Sequence, residues 1–271
     1  MPASRSTNPR TEAGKPAAPR RPYGLIVAIA VLVVLGFVIT ALPASIVTHF
    51  LPKGVEAQDL SGSIWHGAAA NVRALGHDVG GIEWHVYPLS LLHLRLKADL
   101  EWAHRGVGLA ASAEIDRAGI TATNVHGGGP IEDLTDLGFQ SGWRGNADIA
   151  IDELQTDLTR ILALRGQVKL ADLAGPTVAG GADLGSYVLQ WGSHSVDPNG
   201  VVTGELKDAG GPLQVQGTLA LTLQQHTGLV SGTILERPDA PADLRKDLEN
   251  LAQMRGRDAA GRIPVDLEFS F

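Results

Sequence analysis

Apolar and polar residues alternate one for one through most of this chain, and that period confines its body to strands. Leu94, Leu96, Ala98, Leu100 and Trp102 alternate with Arg95, Lys97, Asp99 and Glu101. Val215, Gly217, Leu219, Leu221 and Leu223 alternate with Gln216, Thr218, Ala220 and Thr222. Ile82, Trp84 and Val86 do so with Glu83, His85 and Tyr87, and Ile149 and Ile151 with Asp148 and Asp152. Period two describes a strand with one face buried and one wet. Asp197-Pro198-Asn199-Gly200 is a turn between neighbouring strands, and Leu75-Gly76-His77-Asp78-Val79 reads as another. With 33 glycines and 5% aromatics, many short strands and tight turns are expected. The fold class is therefore mainly β: a curved antiparallel meander, with few short helices.

Helical signal is local. Pro241–Leu251 places Leu244, Leu248 and Leu251 on one face, and Glu132–Leu137 and Asp157–Leu164 each suit a short helix. No strand–helix rhythm runs through the chain, which argues against a parallel doubly wound sheet. Trp65-His66-Gly67-Ala68-Ala69 matches Trp143-Arg144-Gly145-Asn146-Ala147 as W-x-G-x-A. A Val/Leu-x-Gly motif recurs at Leu60/Gly62, Val125/Gly127, Leu164/Gly166, Val202/Gly204, Val215/Gly217 and Val230/Gly232. Glycine at a regular place in a strand marks a bulge or a close backbone approach. Two related half-sheets and one long curved sheet both account for these repeats.

Ahead of the strands, Gly24–Leu42 reads GLIVAIAVLVVLGFVITAL, without a charge. About 20 apolar residues span a bilayer core as a helix, the form in which backbone groups are satisfied in lipid. Pro43 stops it. The run is too long for a signal peptide, and Leu42-Pro43-Ala44 is a poor cleavage site. Arg5, Arg10, Lys15, Arg20 and Arg21 precede it against one acid, Glu12, while the whole chain carries a net charge of -7. A basic arm before an acidic body places the N-terminus in the cytoplasm and the rest across the membrane, in a bacterium the periplasm. The expected organisation is a disordered basic cytoplasmic tail over 1–23, a transmembrane helix over 24–43 and a periplasmic β-rich domain over 44–271. Nucleic acid is excluded as a partner, because no basic stripe with interleaved aromatics occurs in the body.

The chemistry-bearing residues read as architecture. The chain has no cysteine, which rules out disulfides, thiolate metal sites and cysteine nucleophiles. In Leu60-Ser61-Gly62-Ser63-Ile64-Trp65-His66-Gly67-Ala68-Ala69, no serine has the G-x-S-x-G frame of a hydrolase elbow. Gly62 and Gly67 are expected to bend or end the first strand, with Ile64 or Trp65 at the core edge. His49, His66, His77, His85, His93, His104, His126, His194 and His226 form no metal-ligand spacing, and nearly all of them are expected to be solvated. Gly127-Gly128-Gly129-Pro130 lacks the rest of a phosphate loop and reads as a flexible connection. Glu132-Asp133 and Asp152-Glu153 read as surface turns and helix starts. No catalytic, cofactor-binding or metal-binding residue is assigned, and no cofactor is expected.

Several stretches recur in an order that resembles the type II secretion system protein N family. They are Ala41-Leu42-Pro43-Ala44-Ser45, then Leu60–Ala68, then Ile82-Glu83-Trp84-His85-Val86-Tyr87-Pro88-Leu89-Ser90-Leu91-Leu92. Gly210-Gly211-Pro212-Leu213-Gln214-Val215-Gln216-Gly217-Thr218-Leu219, Arg237-Pro238-Asp239-Ala240-Pro241 and Gly261-Arg262-Ile263-Pro264-Val265 follow. The resemblance covers nearly all of the chain after Arg21. It implies a single-pass inner-membrane protein of the machinery that exports folded proteins, with no enzyme activity. Its implied partners are other inner-membrane components of that machine and the outer-membrane secretin, with membrane lipid met through the anchor. The glycine-punctuated amphipathic strands are also similar to AsmA-like proteins, in which a curved sheet forms a half-open apolar groove for lipid. The scarcity of helices leaves the apolar strand face to be covered by something else, or to hold a ligand.

Overall fold

The period-two segments pair in the order in which they occur. The computed structural model describes residues 42–137, 142–175, 181 and 183–270, within a compact unit over Leu42–Phe271. Among the described residues, thirteen strands form one antiparallel sheet in sequence order. They are β1 (Val55–Gly62), β2 (His66–Ala74), β3 (His77–Tyr87), β4 (Leu96–His104), β5 (Val107–Ile115) and β6 (Ile120–Pro130). Then come β7 (Arg144–Thr156), β8 (Ile161–Ala174), β9 (Asp183–Trp191), β10 (Val201–Gly210), β11 (Leu213–Thr222), β12 (Thr227–Glu236) and β13 (Ile263–Ser270). The sheet does not close, since β1 and β13 each pair on one side only. No described helix is long and apolar enough to cross a membrane. The apolar run over 24–41 lies outside the described residues.

Bulges bend the strands. Asp59, Asn124 and Asp172 adopt left-handed backbone, with φ of 54°, 52° and 53°, inside β1, β6 and β8. The register shifts opposite Asn124 and at Asp172, and holds across Asp59. Short Asx side chains tolerate this conformation, and each bulge increases local twist.

Among the described residues one α-helix, α1 (Ala242–Arg255), lies between β12 and β13. Leu244, Leu248 and Ala252 recur every four residues and are its buried stripe. Asp243 in the first turn and Arg255 in the last oppose the helix dipole. Gly256, at φ 79°, ends the helix with its N–H on the Ala252 carbonyl at 2.8 Å. The buried stripe meets Leu184, Tyr187, Leu213 and Ile263 in the hydrophobic core of the unit.

Several expectations change. Asp157–Leu164 is not a helix: Asp157–Arg160 is a tight turn and Ile161 opens β8. Asp157 Oδ1 accepts the N–H groups of Thr159 and Arg160, both at 3.0 Å, which stops helical continuation. Gly127–Pro130 is not a flexible connection but the end of β6. A Cβ on Gly128 would stand 2.0 Å from the Ala147 carbonyl oxygen, so close strand approach demands glycine there. Asp152 and Glu153 lie within β7, beside a bulge, with Arg165 at 3.8 and 3.5 Å. Glu132 and Asp133 do open a short 3-10 helix, Ile131–Leu137. Trp65 and Trp143 each precede a strand, β2 beside one edge and β7 at the middle of the sheet, so W-x-G-x-A marks strand entry in one continuous sheet.

Candidate functional site: a two-faced sheet

Cross-strand register shows what the two faces are made of. One row runs Leu60, Ala69, Ile82, Trp102, Leu109 and Gly127 across β1–β6. It continues as Ile149, Val168, Leu189, Leu206, Gly217, Gly232 and Val265 across β7–β13. Every member is apolar or glycine. The row one residue away, on the opposite face, runs Ser61, Ala68, Glu83, Glu101, Ala110 and His126. It goes on through Ala150, Gln167, Gln190, Glu205, Thr218, Ser231 and Asp266. At about 4.8 Å between strands, the apolar row is roughly 58 Å long.

The apolar row is poorly covered. Of its thirteen members only Ala69 is fully buried, and the rest are half-exposed. Helix α1 shields the β9–β13 end and leaves an apolar groove of about 480 Å³ between itself and the sheet. Leu206, Val215, Val265 and Leu267 line it with Leu248 and Leu251 of the helix, and Arg255 stands at its edge. Gly217 faces Gly232 at its floor. A Cβ on either would meet the partner strand's backbone, at 2.5 and 2.4 Å, so glycine keeps the floor low and the strands close.

Beside the groove sits a polar knot. Arg237 pairs with Asp208 on β10 and donates to the Gly211 carbonyl at 2.7 Å. Asp208 also accepts the Val215 N–H at 3.2 Å. Tyr187 donates to the Leu184 carbonyl at 2.5 Å. Burial, then the negative charges of Asp208 and Asp183, push its phenol up to about 12.

The polar face carries most of the titratable side chains. His66 and His85 are cross-strand partners with ring centres 5.0 Å apart, and His85 stands 4.8 Å from Tyr87. Tyr87 donates to Asp99 at 2.6 Å, and Ser112 donates to it at 2.7 Å. These bonds, the tyrosine's first, hold the Asp99 carboxyl below its ordinary range and raise the Tyr87 phenol. A nucleophile needs a base within hydrogen-bond reach. Ser112 meets the Asp99 carboxylate, which these bonds make a weaker base than a free one.

Ser63 Oγ accepts the N–H groups of Trp65 and His66 at 3.2 and 3.1 Å, so it braces the β1–β2 turn through backbone rather than the imidazole. Gly62, at φ 82°, ends β1 as expected. Trp65 is half-buried. Eight histidines are exposed, but His104 is only 4% exposed, against Gly80 and stacked 6.4 Å from Trp102. Its strand parity places it with the apolar row, a signal that was present in the sequence. Among the described residues, no group of three His, Asp or Glu side chains is placed to hold a metal ion.

The family model for type II secretion system protein N matches residues 53–266. A relative named type II secretion system protein N, from Aeromonas hydrophila, is 25% identical over 262 residues, covering 89% of this chain and 96% of its own. One of the same name from Vibrio cholerae serotype O1 is 29% identical over 107 residues, 39% of each chain. No solved structure matches. The family match spans β1 to β12 whole and the start of β13, the strands that build the two-faced sheet, and the chain belongs to the type II secretion system protein N family.

Proposed function

We propose that the chain serves the type II secretion machinery as a non-enzymatic, single-pass inner-membrane component. Residues 1–23 form its basic cytoplasmic tail, 24–43 its transmembrane helix and 44–271 its periplasmic β-rich domain. The observation that carries this reading is the apolar row of thirteen strands, with an α-helix over its β9–β13 end and most of its other members only half-buried. Such a domain offers a long contact surface rather than a reaction centre. Its partners are inner-membrane components of the same machine and the outer-membrane secretin, and nucleic acid has no part in it. Deleting the gene tests this. A secreted hydrolase should be trapped in the periplasm and be released again by the intact chain. Normal export in the deletion strain would overturn the reading.

The groove of about 480 Å³ under α1 favours a second reading, a lipid-binding sheet in outer-membrane biogenesis. That reading predicts normal export with an outer membrane leaky to detergent and large antibiotics.

A further inference from the structure

A meander has two rims, and one of them here is armed with leucines. The rim in question holds the β1–β2, β3–β4, β5–β6 and β7–β8 turns. Leu42, the last residue of the apolar run, reaches this rim: its carbonyl accepts the Ile64 N–H at 3.1 Å, and Pro43 bridges to Ser63. Next along, the Trp65 carbonyl accepts the Val86 N–H at 2.6 Å, and Pro88 opens the β3–β4 loop. In that loop Leu89 is 75% exposed, Leu92 79% and Leu94 67%. Two turns further along, Leu158 is 75% exposed.

These leucines are held out, not frayed out. Ser90 Oγ donates to the Tyr87 carbonyl at 2.6 Å and accepts the Lys97 N–H at 3.1 Å, closing the loop on itself. Leu94 and Leu158 adopt left-handed backbone, at φ 57° and 72°, which a branched side chain takes only where its surroundings impose it. Behind the leucines stand His93, Arg95 and Lys97, which with Ser90 line a cavity of about 370 Å³. Arg95 and Lys97 share one carboxylate, Glu114, at 2.8 and 2.9 Å, so two cations answer one anion. An apolar tip with a basic collar is the pattern of a surface that enters a membrane interface.

We propose that this rim seats on the bilayer, with Leu89, Leu92, Leu94 and Leu158 at the acyl boundary and Arg95 and Lys97 among anionic headgroups. The inference rests on the reading of 24–43 as a membrane anchor, because Leu42 brings the chain into the domain at this rim. It adds a second, peripheral membrane contact and an orientation for the sheet. The exposed leucines of Pro88-Leu89-Ser90-Leu91-Leu92, which the sheet's own packing does not use, then have a role.

The chain has no cysteine, so single cysteines report cleanly. The full chain would be reconstituted in vesicles of phosphatidylcholine with a minority of phosphatidylglycerol. An environment-sensitive fluorophore would be placed at Leu92→Cys, Leu158→Cys, Val33→Cys or Leu75→Cys. Leu75 is 83% exposed on the opposite rim and serves as the aqueous control. The expected result is blue-shifted emission at Leu92 and Leu158, quenched by nitroxide lipid and protected from iodide, with Leu75 quenched by iodide alone. Leu92 and Leu158 as iodide-sensitive as Leu75, with Val33 in lipid, would overturn the inference and leave the anchor standing. Val33 in water would overturn both.

Discussion

Leu244 is fully buried, at the centre of the contact between helix and sheet. Leu244→Ala should lower stability by about 2–5 kcal/mol, read by urea denaturation, since the helix stripe leaves a cavity that cannot collapse. Glycines separate by their surroundings. Gly232→Ala should cost about 1–3 kcal/mol, because its new Cβ meets the Gln216 carbonyl oxygen at 2.4 Å. Gly192→Ala, with nothing within 4 Å, should stay within about 0.5 kcal/mol in the same assay. Tyr187 gives a pH test. Its folded-state phenol is pushed up to about 12, so the folded chain holds the proton more tightly than the unfolded one. That stabilisation is complete below the ordinary phenol value near 10 and is lost as pH rises through the folded value. Denaturation at about pH 9 and about pH 11.5 should show a fall that Tyr187→Phe lacks. At this scale the sequence was partly legible. Ser63 and the Asp197 turn could be read because their bonds are local, whereas the need for glycine at Gly128 comes from a carbonyl on β7.

At the scale of elements, α1 was legible over Pro241–Leu251 because its apolar spacing and its proline start are local signals, but the helix runs on to Arg255, where Gly256 ends it. Asp157–Leu164 was not, because Leu158, Ile161 and Leu164 fit a helical spacing as well as a turn followed by a strand. Pairing with β7 decides it. The bulges at Asn124 and Asp172 were equally hidden, since a bulge exists only relative to its partner strand. The segment between β12 and α1 is pinned by Arg237, whose partner Asp208 is 12% exposed. Arg237→Ala should cost about 3 kcal/mol, the low end for a broken buried pair because the arginine is 34% exposed. Replacing both by apolar residues, as Arg237→Met with Asp208→Leu, should restore most of that loss in thermal melts. A double variant as unstable as the sum of its parts would mean that the pair does more than neutralise itself.

For the whole molecule, strand order followed from alternation and short turns, since consecutive period-two segments pair most simply as neighbours. What covers the apolar face could not be read, because amphipathic strands look the same whether they meet a second layer, a ligand or a partner. The structure covers one end with α1 and leaves most of the remaining row half-buried. The central claim is that this face is the working surface of the domain in secretion. Leu100 and Leu267 lie on it, on β4 and on the edge strand β13, 37% and 57% exposed, so charge can be placed there without opening the core. The direct measurement is export of a secreted hydrolase in a deletion strain carrying Leu100→Lys with Leu267→Lys, alongside the melting temperature of that variant. The account predicts an unchanged melt with the hydrolase trapped in the periplasm. Full export from a stable double variant would contradict it.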